Sequence, residues 1–133
     1  MTSRITYIGG FRCESEHSQS GNKIITDAPM DNHGQGAAFS PTDLCATSLA
    51  QCALTTIAIL GEEKGIHIEG ATCELQKIMN PKPRKIAEIV LKFKFSKNFT
   101  DREKRFIEKT AQSCPVYLSL HSDIKKTLSF EYV

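Results

Sequence analysis

Tryptophan is absent from this sequence of 133 residues, and aromatic residues make up only 8% of it. An excess of one charge is also lacking, because 17 basic and 15 acidic residues are spread along the chain and give a net charge of +2. The sequence has no basic tract and no basic stripe interleaved with aromatic residues, which are the features that favour binding to nucleic acid. Nucleic acid is therefore not an expected partner.

A secretory signal and a membrane span are not predicted either. The first ten residues, MTSRITYIGG, lack the continuous apolar core of a signal peptide. The apolar run at residues 44–60 is slightly too short to cross a bilayer and contains five hydroxyl or amide side chains, so it is better interpreted as a core helix. Five cysteines, an odd number, are typical of a reducing compartment in which thiols stay free. We therefore expect a cytoplasmic protein.

Metal and nucleotide sites have little support in the sequence. The four histidines, His17, His33, His67 and His121, lie far apart, and neither a CxxC nor an HxxxH spacing occurs. The Gly-Gln-Gly segment at residues 34–36 lacks the preceding strand and the following turn of a phosphate-binding loop. We expect no metal and no cofactor.

The first third of the chain predicts three strands, a loop and the start of a helix. Turn residues at 9–10 and 20–22 divide the first 27 residues into short extended segments, and residues 28–39 have the composition of a loop. Ser40, Pro41 and Asp43 form a strong helix start, because a serine cap, a proline at the first helical position and an acidic residue three positions after the cap satisfy free N–H groups. The helix is predicted to end near Lys64, with Gly65 following it.

The remainder predicts two long strands, a second helix and a final strand. Residues 68–80 and 84–95 form a hairpin joined by Pro81-Lys82-Pro83, and alternation in the second strand sets an apolar face against the core. That face consists of Ala87, Ile89, Leu91, Phe93 and Phe95, whereas Ile86, Glu88, Val90, Lys92 and Lys94 lie on the other side. A capping box at Thr100 and Glu103 opens the second helix, Pro115 disfavours its continuation at Cys114, and residues 125–133 alternate as a strand.

This order of elements predicts an α+β fold in a single domain over residues 1–133. The expected arrangement is one antiparallel sheet with a long buried central helix. Such a sheet leaves the far side of the helix uncovered in a chain of this length, and an exposed apolar helix favours association. The most economical partner is a second copy related by a two-fold axis, so we expect a homodimer.

Two cysteines have settings that could bring them together as a redox pair. Cys52 lies inside the apolar helix, and Cys114 lies at the end of the second helix. Free cysteine is among the most buried residue types, so any one cysteine is more often a small apolar residue than a nucleophile. This interpretation suits Cys45 and Cys73, and it is favoured for Cys13, where a third redox thiol is the alternative.

Several motifs resemble the OsmC/Ohr family over the whole chain. They are Ser-Pro-x-Asp-Leu at 40–44 followed by small residues to Cys52, Leu-Thr-Thr-Ile-Ala-Ile-Leu at 54–60, Glu-Lys-Gly at 63–65, and Cys-Pro-Val at 114–116. The resemblance implies an intertwined α+β homodimer that acts in the oxidative stress response as a thiol peroxidase for organic hydroperoxides. It also implies that Cys52 is the peroxidatic cysteine, that Cys114 is the resolving cysteine, and that an external dithiol is the reductant.

The sequence departs from the family where the reactive thiolate is activated. The family uses an arginine from the early strand and loop region, held by a glutamate ten residues before the peroxidatic cysteine. Here Thr42 occupies that position, and Arg12 is the best candidate for the thiolate partner, with His17 and Lys23 behind it. A structural role for Arg12 on the solvent side of a strand is the alternative. The alternative function is a homodimer without peroxidase activity that binds a small apolar ligand, its cysteines being remnants or a redox latch.

Overall fold

The computed structural model describes residues 1–133 in two compact units, 1–45 and 46–133. In chain order its strands and helices are β1 (Ser3–Gly9), β2 (Arg12–His17), β3 (Lys23–Asp27), α1 (Pro41–Gly61), β4 (Thr72–Pro81), β5 (Arg84–Phe95), α2 (Asp101–Ala111), α3 (Pro115–Ser119) and β6 (Lys125–Tyr132). Short 3-10 turns occupy Met30–Asn32 and Glu62–Lys64. The α+β class is confirmed; whether the chain acts as one domain stays a prediction.

The N-terminal unit contains a three-stranded antiparallel sheet in the order β1-β2-β3. The turn between β1 and β2 places Gly9, Gly10 and Phe11 at φ values of 89°, 63° and 61°. Glycine adopts this left-handed region without steric cost, which explains why the break falls at the glycine pair. The three predicted strands are confirmed.

Helix α1 begins and ends where the capping residues predict. The Asp43 N–H donates to Ser40 Oγ at 3.0 Å, and the Ser40 N–H donates to Asp43 Oδ2 at 3.0 Å, so two otherwise free N–H groups are satisfied reciprocally. The 3-10 turn after α1 ends at Gly65, which has a φ of 68°. Asp43 therefore acts as a helix cap, as the sequence predicts.

One face of α1 is buried and the other is not. Its buried residues recur at helical spacing and are Ala46, Leu49, Ala50, Ala53, Ile57 and Gly61. Ile59 and Leu60 are 66% and 53% exposed, in agreement with the expectation that a chain of this length leaves the far side of the helix uncovered. The core of the C-terminal unit packs against one stripe of α1. The apolar residues outside that stripe therefore remain exposed.

The C-terminal unit contains a second three-stranded sheet in the order β4-β5-β6. Strands β4 and β5 form the predicted antiparallel hairpin, whereas β6 pairs parallel to β5. The expectation of one wholly antiparallel sheet is therefore wrong in two respects, since there are two sheets and one of them is mixed. The parallel pairing follows from the connection, because α2 and α3 carry the chain back before β6 begins.

Strand β5 supplies the apolar floor of this core. Ile89, Leu91, Phe93 and Phe95 are at most 1% exposed, which confirms the predicted face for these four residues. The predicted outward position of Ile86 is wrong, because its exposure is 8%. Ile78 pairs with Glu88 while Met79 pairs with Ile86, so Ala87 is an extra residue in a bulge, and the alternation inverts there.

Helix α2 has the predicted capping box and buries one face. The Glu103 N–H donates to Thr100 Oγ1 at 3.2 Å, and the Thr100 N–H donates to Glu103 Oε1 at 2.9 Å. Ile107 and Thr110 are buried, and Phe106 packs against the core from a partly buried position. Cys114 follows three residues after the end of α2.

Candidate active site

Cys52 lies on α1 in a partly buried position against the core of the C-terminal unit. Its Sγ atom is 3.9 Å from Thr56 Oγ1, one helical turn further along. Because α1 is held by its buried stripe, the backbone of Cys52 sits on a rigid element. The residue as a whole is partly exposed to solvent.

Cys114 lies in the junction between α2 and α3 and is 0% exposed. It has extended backbone angles, φ −68° and ψ 155°, and Pro115 follows at the start of α3. Proline disfavours helical angles in the residue before it, so the predicted break at Cys114 is confirmed. The new helix begins immediately, and the Leu118 N–H donates to the Cys114 carbonyl at 3.1 Å.

The side chain of Cys52 lies close enough to the Cys114 thiol to act on its pKa, although the two residues are about sixty residues apart in the sequence. Both are free thiols in this structure. Burial raises the pKa of Cys114, the contact with Cys52 raises it further, and the backbone N–H groups of Tyr117 and Val116 oppose the rise. A raised pKa keeps the proton on Cys114, so its S–H donates toward the Cys52 sulfur.

Apolar side chains surround the buried side of this thiol pair. Val116, Tyr117 and Leu120 of the α3 segment are partly buried and pack against the core. The Lys126 ammonium lies 5.0 Å from the centroid of the Tyr117 ring and donates to the Ile124 carbonyl at 3.2 Å. The buried Cys114 thiol therefore lies in surroundings that disfavour its thiolate form.

Arg12 lies on β2 in the N-terminal unit and is held by an ion pair that the sequence analysis missed. Its Nη2 atom is 3.5 Å from Asp27 Oδ2 and 3.3 Å from Gln35 Oε1. The Asp27 side chain is fully buried, and its Oδ2 also accepts from the Ala37 N–H at 2.9 Å. The Ala37 N–H and Arg12 together lower the pKa of Asp27 against the opposing effect of burial. The sequence does contain a signal for this pair. Asp27 ends a predicted strand, and Arg12 faces it across the predicted turn.

The residues ranked behind Arg12 have local partners in the same unit. The ring nitrogen Nδ1 of His17 lies 2.6 Å from Ser20 Oγ, and Lys23 Nζ lies 3.6 Å from Glu14 Oε1. Thr42, which replaces the family's glutamate, places its Oγ1 3.2 Å from Ser40 Oγ within the helix start. Thr42 and Asp43 are therefore engaged in capping α1.

The other three cysteines are free thiols in different settings. Cys13 and Cys73 are partly buried on strands, and Cys45 is exposed on α1.

No group of three or more histidine, cysteine, aspartate or glutamate side chains has the geometry to hold a metal ion. By length and composition alone, Pro41–Lys64 could cross a membrane, a property that core helices of soluble proteins share.

Cys73 predicts a specific loss of stability at alkaline pH. Burial raises the pKa of its thiol to about 11, the Lys92 N–H opposes this, and Glu74 adds to it. The raised pKa lies above the ordinary value of 9.0. The protonated thiol of Cys73 therefore contributes fully to the unfolding free energy below pH 9, and this contribution is lost as the pH rises toward 11. We measure the unfolding free energy by urea denaturation at pH 9 and at pH 11. We expect it to fall by about 1 kcal/mol more in the unsubstituted chain than in Cys73→Ala. Equal falls in both proteins would contradict this assignment.

Comparison with known proteins places this thiol pair in a family. A family model described as OsmC-like protein matches residues 34–129, a segment that contains both Cys52 and Cys114. The chain belongs to the OsmC-like family. This match confirms the resemblance seen in the sequence motifs. A search of curated proteins found no match.

Solved structures of OsmC-like proteins share the fold. An osmotic stress induced and detoxification response protein of Psychrobacter arcticus is 44% identical to this chain. The two structures superpose with a TM-score of 0.95 over 98% of this chain and 96% of that one. The organic hydroperoxide resistance protein OsmC of Legionella pneumophila is 20% identical, with a TM-score of 0.73 over 98% of this chain and 97% of that one. The organic hydroperoxide resistance protein OhrB of Bacillus subtilis is 15% identical, with a TM-score of 0.69 and 98% coverage of both chains. The likeness to the Legionella pneumophila and Bacillus subtilis proteins shows a shared fold.

Proposed function

We propose that this protein is a thiol peroxidase that reduces organic hydroperoxides, with Cys52 as the peroxidatic cysteine and Cys114 as the resolving cysteine. The observation that carries the proposal is the contact between the two thiols, one partly buried on a rigid helix and one fully buried. Structural neighbours named as organic hydroperoxide resistance proteins support the choice of substrate class.

The proposed reaction has two steps at the protein. The Cys52 thiolate attacks the distal oxygen of the hydroperoxide, forming an S–O bond as the O–O bond breaks, and the alkoxide leaves as an alcohol after it takes a proton. Cys52 is then a sulfenic acid. The Cys114 sulfur attacks the Cys52 sulfur, and the hydroxyl leaves as water with the Cys114 proton. An external dithiol reduces the resulting disulfide by exchange and is itself oxidised to a disulfide.

The raised pKa of Cys114 and its proximity to Cys52 support this order of events. A thiol with a raised pKa is a poor first nucleophile, because the thiolate is the reactive form. The pKa of Cys114 is raised, so its proton is available to stabilise negative charge on Cys52 before oxidation. After oxidation the same contact sets Cys114 against the sulfenic sulfur, which favours disulfide formation over further oxidation.

Arg12 is proposed as the cation that stabilises the Cys52 thiolate. A guanidinium presents five N–H donors in a rigid fork, which suits it to binding an anion. Nη2 donates to both Asp27 and Gln35, so the donors on Nη1 and Nε remain for another acceptor.

Thiol counting before and after oxidation tests the proposed function. The fully reduced protein is treated with tert-butyl hydroperoxide, and the remaining thiols are titrated under denaturing conditions. We expect the loss of two thiols per chain and their recovery with an added dithiol. Unchanged thiols after excess hydroperoxide would contradict peroxidase activity and favour the alternative of an apolar ligand-binding protein.

We propose that the functional form is a homodimer in the cytoplasm. Nine of the fourteen exposed large apolar side chains lie within the first 39 residues. Among them, Ile5, Tyr7 and Ile24 share one face of the N-terminal sheet and are 60%, 63% and 50% exposed. An apolar sheet face of this kind favours burial against a second copy.

Sedimentation measures this association directly. We expect a particle with twice the 14.8 kDa mass of the chain, and a shift toward the monomer in the Ile24→Glu variant. Glu16→Lys, on the opposite face of the same sheet, serves as the matched control and should remain dimeric. A monomer at all concentrations of the unsubstituted protein would contradict the proposal.

A further inference from the structure

A hydroxyl side chain lies one helical turn after Cys52 on α1. Thr56 is partly buried, and its Oγ1 atom is 3.9 Å from Cys52 Sγ, within hydrogen-bond distance for a sulfur atom. Residues four apart share one face of a helix, so the helix itself holds the two side chains next to each other. Both residues belong to the unit of residues 46–133, and their contact depends on no other element.

The Thr56 hydroxyl is directed toward the sulfur. A threonine Oγ1 in a helix commonly bonds to the carbonyl four residues earlier, which for Thr56 is the carbonyl of Cys52. In this chain Oγ1 of Thr56 contacts the Cys52 sulfur. The hydroxyl therefore faces the atom on which the proposed reaction takes place.

Ionisation of Cys52 fixes the direction of this hydrogen bond. While the thiol is protonated, either atom could be the donor. A thiolate has no proton and can only accept, so Thr56 then donates its O–H to the sulfur. Hydrogen bonds to ionised acceptors are shorter and stronger than those between neutral groups, so this contact favours the thiolate over the thiol. The proton that Cys52 loses goes to solvent, and Thr56 keeps its own.

We infer that Thr56 is a catalytic residue of the proposed peroxidase reaction, in which its hydroxyl donates to the Cys52 thiolate and increases the fraction of reactive thiolate at neutral pH. The inference rests on the proposed function and adds to it a residue on the same helix that touches the reacting sulfur. The hydrogen bond forms before hydroperoxide binds. It therefore acts on the reactivity of Cys52 toward other electrophiles as well.

Two measurements on four proteins test this inference. The unsubstituted chain, Thr56→Val, Thr56→Ser and Thr55→Val are compared in the single-turnover rate of Cys52 oxidation by tert-butyl hydroperoxide. They are also compared in the rate of Cys52 alkylation by iodoacetamide as a function of pH, with the Cys52 peptide quantified by mass spectrometry. Valine has the shape of threonine without its hydroxyl, whereas serine keeps the hydroxyl. Thr55 is the matched control, because it is an exposed threonine on the same helix.

We expect Thr56→Val to lower both rates at neutral pH by roughly three- to tenfold, the size of one ordinary hydrogen bond. Its alkylation profile should move to higher pH, and the alkylation rates of all variants should converge where Cys52 is fully ionised. A merely structural change would not produce this convergence. Thr56→Ser should keep most of both rates, and Thr55→Val should match the unsubstituted chain. If Thr56→Val does not fold, as judged by circular dichroism, Thr56→Ala replaces it, since alanine also lacks the hydroxyl and favours a helix.

The outcomes separate this inference from the proposed function. An active unsubstituted protein whose Thr56→Val variant keeps both rates overturns the inference alone. Equal losses in Thr56→Val and Thr56→Ser also overturn it, since they show that the methyl group matters and not the hydroxyl. A chain that consumes no hydroperoxide overturns the proposed function and the catalytic role of Thr56 with it. The alkylation profile distinguishes that failure from the absence of the hydrogen bond, because alkylation does not require hydroperoxide.

Discussion

Replacing Cys52 with serine is expected to abolish hydroperoxide consumption. A serine hydroxyl is not ionised at neutral pH and cannot form a sulfenic acid, so neither the attack on the O–O bond nor the later disulfide is available. We expect kcat/KM for tert-butyl hydroperoxide to fall by about a thousandfold or more, the scale found when a nucleophile is removed. The fold should be unaffected, because Cys52 is only partly buried and serine is smaller.

Cys45→Ser is the matched control for this result. Cys45 lies on the same helix, two turns before Cys52, and is exposed. Loss of its thiol should leave kcat/KM unchanged if the reaction depends on the buried pair. Full activity in Cys52→Ser, or equal losses in both variants, would contradict the assignment of the nucleophile.

Replacing Cys114 with serine is expected to separate the first chemical step from the second. Cys52 should still react with hydroperoxide, but no thiol lies beside it to condense with the sulfenic acid. The sulfenic acid should therefore persist at low hydroperoxide and proceed to sulfinic and sulfonic acids in excess, which intact-mass spectrometry resolves. Turnover driven by an external dithiol should stop as these forms accumulate.

Stability must be measured alongside oxidation in the Cys114 variant. Cys114 is fully buried, so a serine hydroxyl there is expected to cost on the order of 1–3 kcal/mol in unfolding free energy if it lacks a partner. Cys114→Ala keeps the site apolar and should show the same over-oxidation with a smaller change in stability. Normal dithiol-driven turnover in either folded variant would contradict the resolving role.

Local sequence signals predicted much of the fold because their physics is local. The caps at Ser40 and Thr100 act on N–H groups within three residues, and both helix starts are where these residues place them. The break at Cys114 follows from the steric restriction imposed by the next proline. The alternation of β5 predicted the core face from Ile89 to Phe95 for the same reason.

Features that depend on distant partners could not be predicted in this way. The parallel pairing of β6 depends on how α2 and α3 return the chain, and the bulge at Ala87 depends on register against β4. The proximity of Cys52 and Cys114 is equally non-local. Their settings suggested only that the two thiols could meet, and the family resemblance made them a specific pair. Asp27 was missed because its importance comes from a cross-strand partner, Arg12, and not from a motif around it.

Mapping the disulfide formed in a single turnover tests the central claim most directly. The reduced protein is treated with stoichiometric tert-butyl hydroperoxide, blocked with an alkylating reagent, digested without reduction and analysed by peptide mass spectrometry. The proposed mechanism predicts one linked pair of peptides within a chain, containing Cys52 and Cys114, while Cys13, Cys45 and Cys73 remain alkylated. A disulfide through any other cysteine, or five alkylated thiols after hydroperoxide has been added, would contradict it.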